Sequence, residues 1–199
     1  MYNGFMHYIV ALGNPGSEYE STRHNVGFMA LDCIVDFFNL PKPTKSSQYA
    51  GKVSESKIEG ENIFLLYPDT FMNHSGSAVK KMVPKDEISN LVVIYDDIAL
   101  PLGEVKISFD RGDGGHNGIK SIISALGSKE FTRVRIGVGP TSFWTGKIKP
   151  LGRSELSRFV LGKFTRREQV KLTEVFATVR DAVGVIVKDG YVKAMNVYN

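Results

Sequence analysis

Hydrophobic and polar positions along the chain follow two periods. HYIVALG, His7 to Gly13, is a continuous apolar run closed by GNPG, and such a run bounded by turn residues reads as a buried strand. From Asn25 the apolar residues Val26, Met29, Ala30, Cys33, Ile34, Phe37 and Phe38 recur at steps of three and four, which predicts a helix with that stripe facing the core. YAGKVSESKI and NIFLLYP predict two strands joined at EGEN, GSAVKKMV a short helix, and LVVIYDD a further buried strand. GEVKISF alternates as a half-exposed strand, RVRIGVG is another, and GIKSIISAL between them has helical spacing. From Thr165 to Lys188 the residues Leu172, Val175, Phe176, Val179, Val183, Ile186 and Val187 mark a long amphipathic helix. Strands alternating with helices predict an α/β fold, with a mixed, mostly parallel twisted sheet flanked by helices. GPTSFWTGKIKPLGRSE, Gly139 to Glu155, is the one long irregular stretch and reads as a mobile basic loop.

A chain of 199 residues with 42% hydrophobic content can bury one good core, so residues 1–199 are expected to form a single domain. The N-terminus has no basic start, and no apolar run reaches the roughly 18 residues of a membrane span, which argues against a signal peptide or membrane anchor. The lone Cys33 leaves no internal disulfide and fits a cytoplasmic location; within the helical stripe it reads as packing rather than as a nucleophile. The net charge of +4 is unevenly placed. Between Arg133 and Lys171 lie ten basic residues and two acids, a segment charge of +8 that leaves −4 for the rest. Such asymmetry suits a polyanionic partner; a solvated basic face is the alternative.

Polar side chains gather just beyond the expected strands: Asn14, Asn73, Asp96, and His116 with Asn117 where the glycine-rich DRGDGGHNG enters a helix. In open α/β sheets, ligands bind in the crevice at the carboxyl ends of the strands. His24 can accept a proton from water, and a buried Asp96 could orient its ring and stabilise the imidazolium. Each has a plainer reading: His24 as a local hydrogen-bonder, Asp96 as a turn or cap residue, Asn14 as an Asx turn, Asn73 as a helix N-cap. Three asparagines without a serine nucleophile suit a site that binds a carbonyl and lets water attack. Phosphate-loop, dinucleotide-binding and G-x-S-x-G patterns are missing, and the histidines show no metal-ligand spacing, so no cofactor or metal is expected.

Taken together, ALGNPGSEY, STRHNVGF, TFMNHSG, YDDIALPLGEV, GGHNGIKSI, FTRVRIGVGP, FVLGKFT and the terminal AMNVYN resemble bacterial-type peptidyl-tRNA hydrolase across essentially the whole chain. The resemblance implies a monomeric, cytoplasmic α/β esterase, without an obligate protein partner, that cleaves peptide from the 3′ end of peptidyl-tRNA. It implies His24 as catalytic histidine, Asp96 as its partner, and Asn14, Asn73 and Asn117 as substrate-binding and carbonyl-polarising residues. Tyr19 would lie near the tRNA terminus, and Met72 and His116 would line the peptide channel. Arg135 would be one member of a clamp on the tRNA 5′ phosphate. The second clamp position falls on Ser108, with Lys106 or Arg111 as substitutes, and Ala99 stands where the family commonly has an acid. Asp113 receives no role. The rival reading is an RNA-binding module of the same fold without hydrolysis.

Overall fold

The computed structural model describes residues 5–142 and 147–199, so Trp144 of the expected loop lies outside the described residues. Seven strands form one sheet: β1 (Met6–Ala11), β2 (Thr44–Ser46), β3 (Gly51–Ile58), β4 (Glu61–Pro68), β5 (Leu91–Pro101), β6 (Val105–Phe109) and β7 (Thr132–Gly139). Their spatial order is β2-β3-β4-β1-β5-β7-β6. The centre, β4-β1-β5-β7, is parallel, and the pairs β2-β3, β3-β4 and β6-β7 are antiparallel. Only β3 and β6 therefore oppose the common direction, as a mostly parallel mixed sheet requires. The sequence explains the division. Every residue of β7 is buried, as in a strand covered on both faces, whereas β3 alternates between buried and exposed positions.

Helices cover both faces. Ile9, Ile94 and Val134 face a core completed by α1 (Val26–Phe37) and α5 (Arg166–Asp189). Val10, Val93 and Tyr95 face the opposite core with α2 (Ser75–Met82) and α3 (Asn117–Leu126). α5 runs as expected, starting at a Thr165 cap whose Oγ1 accepts from the Glu168 N–H at 3.3 Å while Glu168 accepts from the Thr165 N–H at 2.7 Å. α6 (Tyr191–Tyr198) follows, stacking Tyr191 on Phe109 at 4.3 Å. The Asn199 side chain then pairs with edge strand β6, accepting from the Ile107 N–H at 2.8 Å and donating to its carbonyl at 2.9 Å.

Three expectations need correction. The helix expected from Asn25 begins at Val26, after a 3-10 turn over Arg23–Asn25, and its buried face holds Ala30, Leu31, Ile34 and Val35. Gly27 sits so close to the Leu12 and Ile94 carbonyls that a Cβ there would meet oxygen at 2.6 and 2.5 Å, and this close approach fixes the helix's rotation. Phe37 is consequently 54% exposed under the Arg180 guanidinium, and Cys33 is only half-buried. The stretch 139–155 is not irregular to its end, because Arg153–Val160 forms α4, opened by a Gly152 N–H bond to Glu155 at 2.9 Å. Ahead of α4, Thr141 and Ile148 pair in an isolated antiparallel bridge.

β1 is flanked by β4 on one side and β5 on the other, so the connections leaving these strands diverge and open a crevice at their carboxyl ends.

Candidate active site

Asp96, near the end of the apolar part of β5, is buried at 2% exposure and is the hub of this crevice. Both of its carboxylate oxygens lie 2.9 Å from Nδ1 of His24, and Oδ1 also lies 3.0 Å from Nε2 of His116. A carboxylate only accepts, so both ring nitrogens carry hydrogen toward it. Burial opposes the Asp96 charge, yet the two histidines hold its carboxyl well below the usual carboxylate range. Burial likewise opposes a charged His24, and the Asp96 charge and hydrogen bond outweigh it, raising the ring above its ordinary 6.5. With Nδ1 committed, Nε2 is the nitrogen His24 has left to take a proton from water.

His24, Asp96 and His116 bring ligand atoms close enough together to suggest a metal centre. The hydrogen bonding favours protons. Nδ1 of His116 accepts the Ile119 N–H at 3.3 Å as the N-cap of α3, which leaves the ring proton on Nε2, facing Asp96. The glycine-rich loop delivers this histidine: Gly114 and Gly115 take φ of +61° and +81°, and Asp113 Oδ1 accepts the Gly115 N–H at 2.7 Å. Asp113 thus shapes the turn that presents His116.

Asn14 is buried, and its Oδ1 accepts the Met72 N–H at 2.9 Å, joining the loop after β1 to the turn Met72–His74 after β4. Its backbone is held by Asn25, which accepts the Asn14 N–H at 2.8 Å and donates to its carbonyl at 2.9 Å. Only the Asn14 amide nitrogen remains for a ligand, and an Asx turn is not what this side chain forms. Asn73 does not cap α2; His74 holds the N-cap position, and Asn73 is exposed beside Met72. A cleft of about 140 Å³ is lined by His24, Asp96, His116, Asn117 and, from α4, Leu156, Ser157 and Val160. Asn14 instead borders a neighbouring groove of about 630 Å³ with Phe28, Asp32 and Tyr67.

A family model described as peptidyl-tRNA hydrolase matches residues 8–199. The chain belongs to the peptidyl-tRNA hydrolase family. It is 43% identical over 197 residues to the peptidyl-tRNA hydrolase of Clostridium acetobutylicum, covering 98% of both chains. To that of Thermodesulfovibrio yellowstonii it is 39% identical over 195 residues, covering 96% of this chain and 97% of the relative. The crystal structure of peptidyl-tRNA hydrolase from Acinetobacter baumannii superposes with a TM-score of 0.84 at 29% identity, covering 100% of this chain and 97% of that one.

Of the positions suggested by likeness to this hydrolase family, His24, Asp96, His116 and Asn117 share the cleft, and Asn14, Met72 and Asn73 form the adjoining corner. Tyr19 lies outside the cleft, edge-on to the exposed Phe71 at 6.5 Å. Arg135 is buried, its Nε donating to Asp97 at 2.8 Å. Lys106, not Ser108, stands opposite Arg135 across β6-β7; Ser108 faces the fully buried Arg133, with its Oγ unpartnered among the described residues. Arg133 grips the carbonyls of Arg111 and Gly112 at the start of the glycine-rich loop. The ten basic residues therefore do not form one surface: Arg133 and Arg135 face inward from β7, while Arg158, Lys163, Arg166, Arg167 and Lys171 are exposed on α4, α5 and their junction. Sequence reasoning missed Phe71, whose signal was an apolar ring beside Asn73, and the α4 residues of the cleft, which carry no chemical signal at all.

Proposed function

We propose that this chain hydrolyses the ester joining a peptide, or N-acyl-aminoacyl group, to the 3′ end of tRNA, with His24 as general base. The observation that carries the reading is the doubly held Nδ1 of His24, which leaves Nε2 in a partly enclosed cleft as the proton acceptor. Water loses its proton to Nε2 as its oxygen attacks the ester carbonyl. Asp96 stabilises the imidazolium that results, and His116 keeps Asp96 ionised and in place. Asn73 and the free amide of Asn14 donate to the carbonyl oxygen as charge builds there. Collapse of the tetrahedral intermediate expels the ribose hydroxyl, which takes the proton back from His24. Asn117, Tyr19 and Met72 position the substrate. Nothing in this cycle calls for a metal or cofactor.

The exposed cations from Arg158 to Lys171 flank the α4 side of the cleft and supply a docking surface for the tRNA acceptor end. Lys106, across the strand pair from the buried, Asp97-bonded Arg135, is the candidate contact to the 5′ phosphate in place of Ser108. No helix among the described residues is long and apolar enough to cross a membrane, and the reading is of a monomer acting on tRNA in the cytoplasm.

The test is release of peptide from N-acyl-aminoacyl-tRNA by the wild-type chain and by His24→Ala, with and without chelator. General-base assistance is worth ~10²- to 10⁴-fold, and a loss of that size in His24→Ala, unaffected by chelator in the wild type, is expected. Tight tRNA binding without release by either protein would favour the RNA-binding module instead.

A further inference from the structure

Arg23 precedes the proposed base, and its side chain is only 10% exposed. One guanidinium nitrogen, Nη1, donates to the carbonyls of Gly162 and Lys163, both at 3.1 Å, and lies 3.5 Å from that of Phe159. The other, Nη2, meets both carboxylate oxygens of Glu168 at 2.8 Å. The planar face lies 4.4 Å from the Phe159 ring centre and 5.3 Å from that of Phe164. The backbone reinforces the junction: the Arg23 N–H donates to Gly162 at 3.1 Å, the Phe164 N–H to Ser21 at 3.3 Å, and Thr22 bridges to Lys163. Burial disfavours the Glu168 carboxylate, but bonds from Arg23 and Thr165 outweigh this and lower its proton affinity.

His24 itself lies in a three-residue 3-10 turn without a side-chain N-cap. A turn that short does not hold its own shape. Asn25 ties it to Asn14 on one side, and Arg23 ties it to the α4-α5 corner on the other. That corner includes Leu156, Ser157 and Val160, which form the cleft wall facing His24.

We infer that Arg23 is a positioning residue: with Glu168 it locks the His24 turn to the α4-α5 corner, fixing the base relative to the wall that confines the ester. The inference rests on the reading of His24 as general base. A lysine keeps the charge but offers a single nitrogen, which cannot serve carbonyls on one edge and a carboxylate on the other while lying flat between two rings.

Turnover of N-acyl-aminoacyl-tRNA is measured for Arg23→Lys and Glu168→Gln, each alone and combined with His24→Ala, with thermal melting of every protein. A misplaced group can cost up to about 100-fold in rate, so kcat is expected to fall about 10- to 100-fold while KM changes less than about threefold. Because Arg23 acts through His24, neither substitution should lower the residual kcat of His24→Ala further. Wild-type kcat in both variants, or an equal fall with and without His24, would overturn the inference. So would a raised KM at unchanged kcat, which would make Arg23 a docking residue. Should Arg23→Lys fail to fold, Glu168→Gln, nearly isosteric and less disruptive, carries the test. Near-wild-type turnover by His24→Ala alone would overturn the general-base reading instead, a separate and recognisable failure.

Discussion

Asn14 Oδ1 accepts the Met72 backbone N–H at 2.9 Å, which splits this side chain into a structural half and a chemical half. Asn14→Asp keeps the acceptor and loses the donor. If the amide nitrogen polarises the ester, kcat should fall ~10²- to 10³-fold, the usual result of removing one oxyanion donor, with melting temperature little changed. Asn14→Ala would also strand the Met72 N–H and should cost roughly 1–3 kcal/mol of stability, seen by denaturant titration.

The pH dependence follows from the direction of the His24 shift. The ring must be neutral to act as base, and its pKa is raised above 6.5, so kcat/KM should climb with pH through an inflection above that value. Asp96→Asn removes the charge that raises it, and should move the inflection downward while lowering the plateau. The same shift contributes to stability in the opposite sense. The protonated ring's contribution is fully present below 6.5 and is lost as pH rises through the folded pKa, so unfolding free energy should lose this component over that window.

His116 joins two structures, Asp96 and the first turn of α3. His116→Ala should cost about 0.5–2 kcal/mol through removal of the cap, and His116→Asn, a good capping residue, should recover most of that. If the bond to Asp96 also matters for turnover, stability and kcat will separate in the asparagine variant, with kcat remaining low.

The docking surface predicts a salt signature. Replacing Lys163, Arg166 and Arg167 by glutamine should weaken tRNA binding and reduce the slope of log affinity against log salt by about 1 for each phosphate no longer neutralised. kcat at saturating substrate should hold. An unchanged slope would place the RNA elsewhere.

The fold was legible where periodicity was long. α5 runs for more than six turns, carries its apolar stripe from Leu172 to Val187 over more than four of them and opens on a Thr-x-x-Glu box, so its limits were readable to within a residue. α4 has eight residues between two glycines, and its contribution to the cleft depends on partners from distant segments. At the site, residue types and their positions after strands were readable, but pairings were not. Asp96 and His116 are separated by a glycine-rich loop of unspecified path, and Arg23 finds Glu168 145 residues away. Arg133 and Arg135 misled because arginine is usually read as surface charge. On a strand buried on both faces, they became internal fastenings for the glycine-rich loop and for Asp97.

β6 is an edge strand, and unpaired strand edges invite neighbouring chains to add to the sheet. The Asn199 side-chain amide occupies both outward-facing groups of Ile107 as a single-residue imitation of a further strand. A second molecule extending the sheet there must first evict this amide, so the midpoint of the edge is guarded against cross-chain assembly.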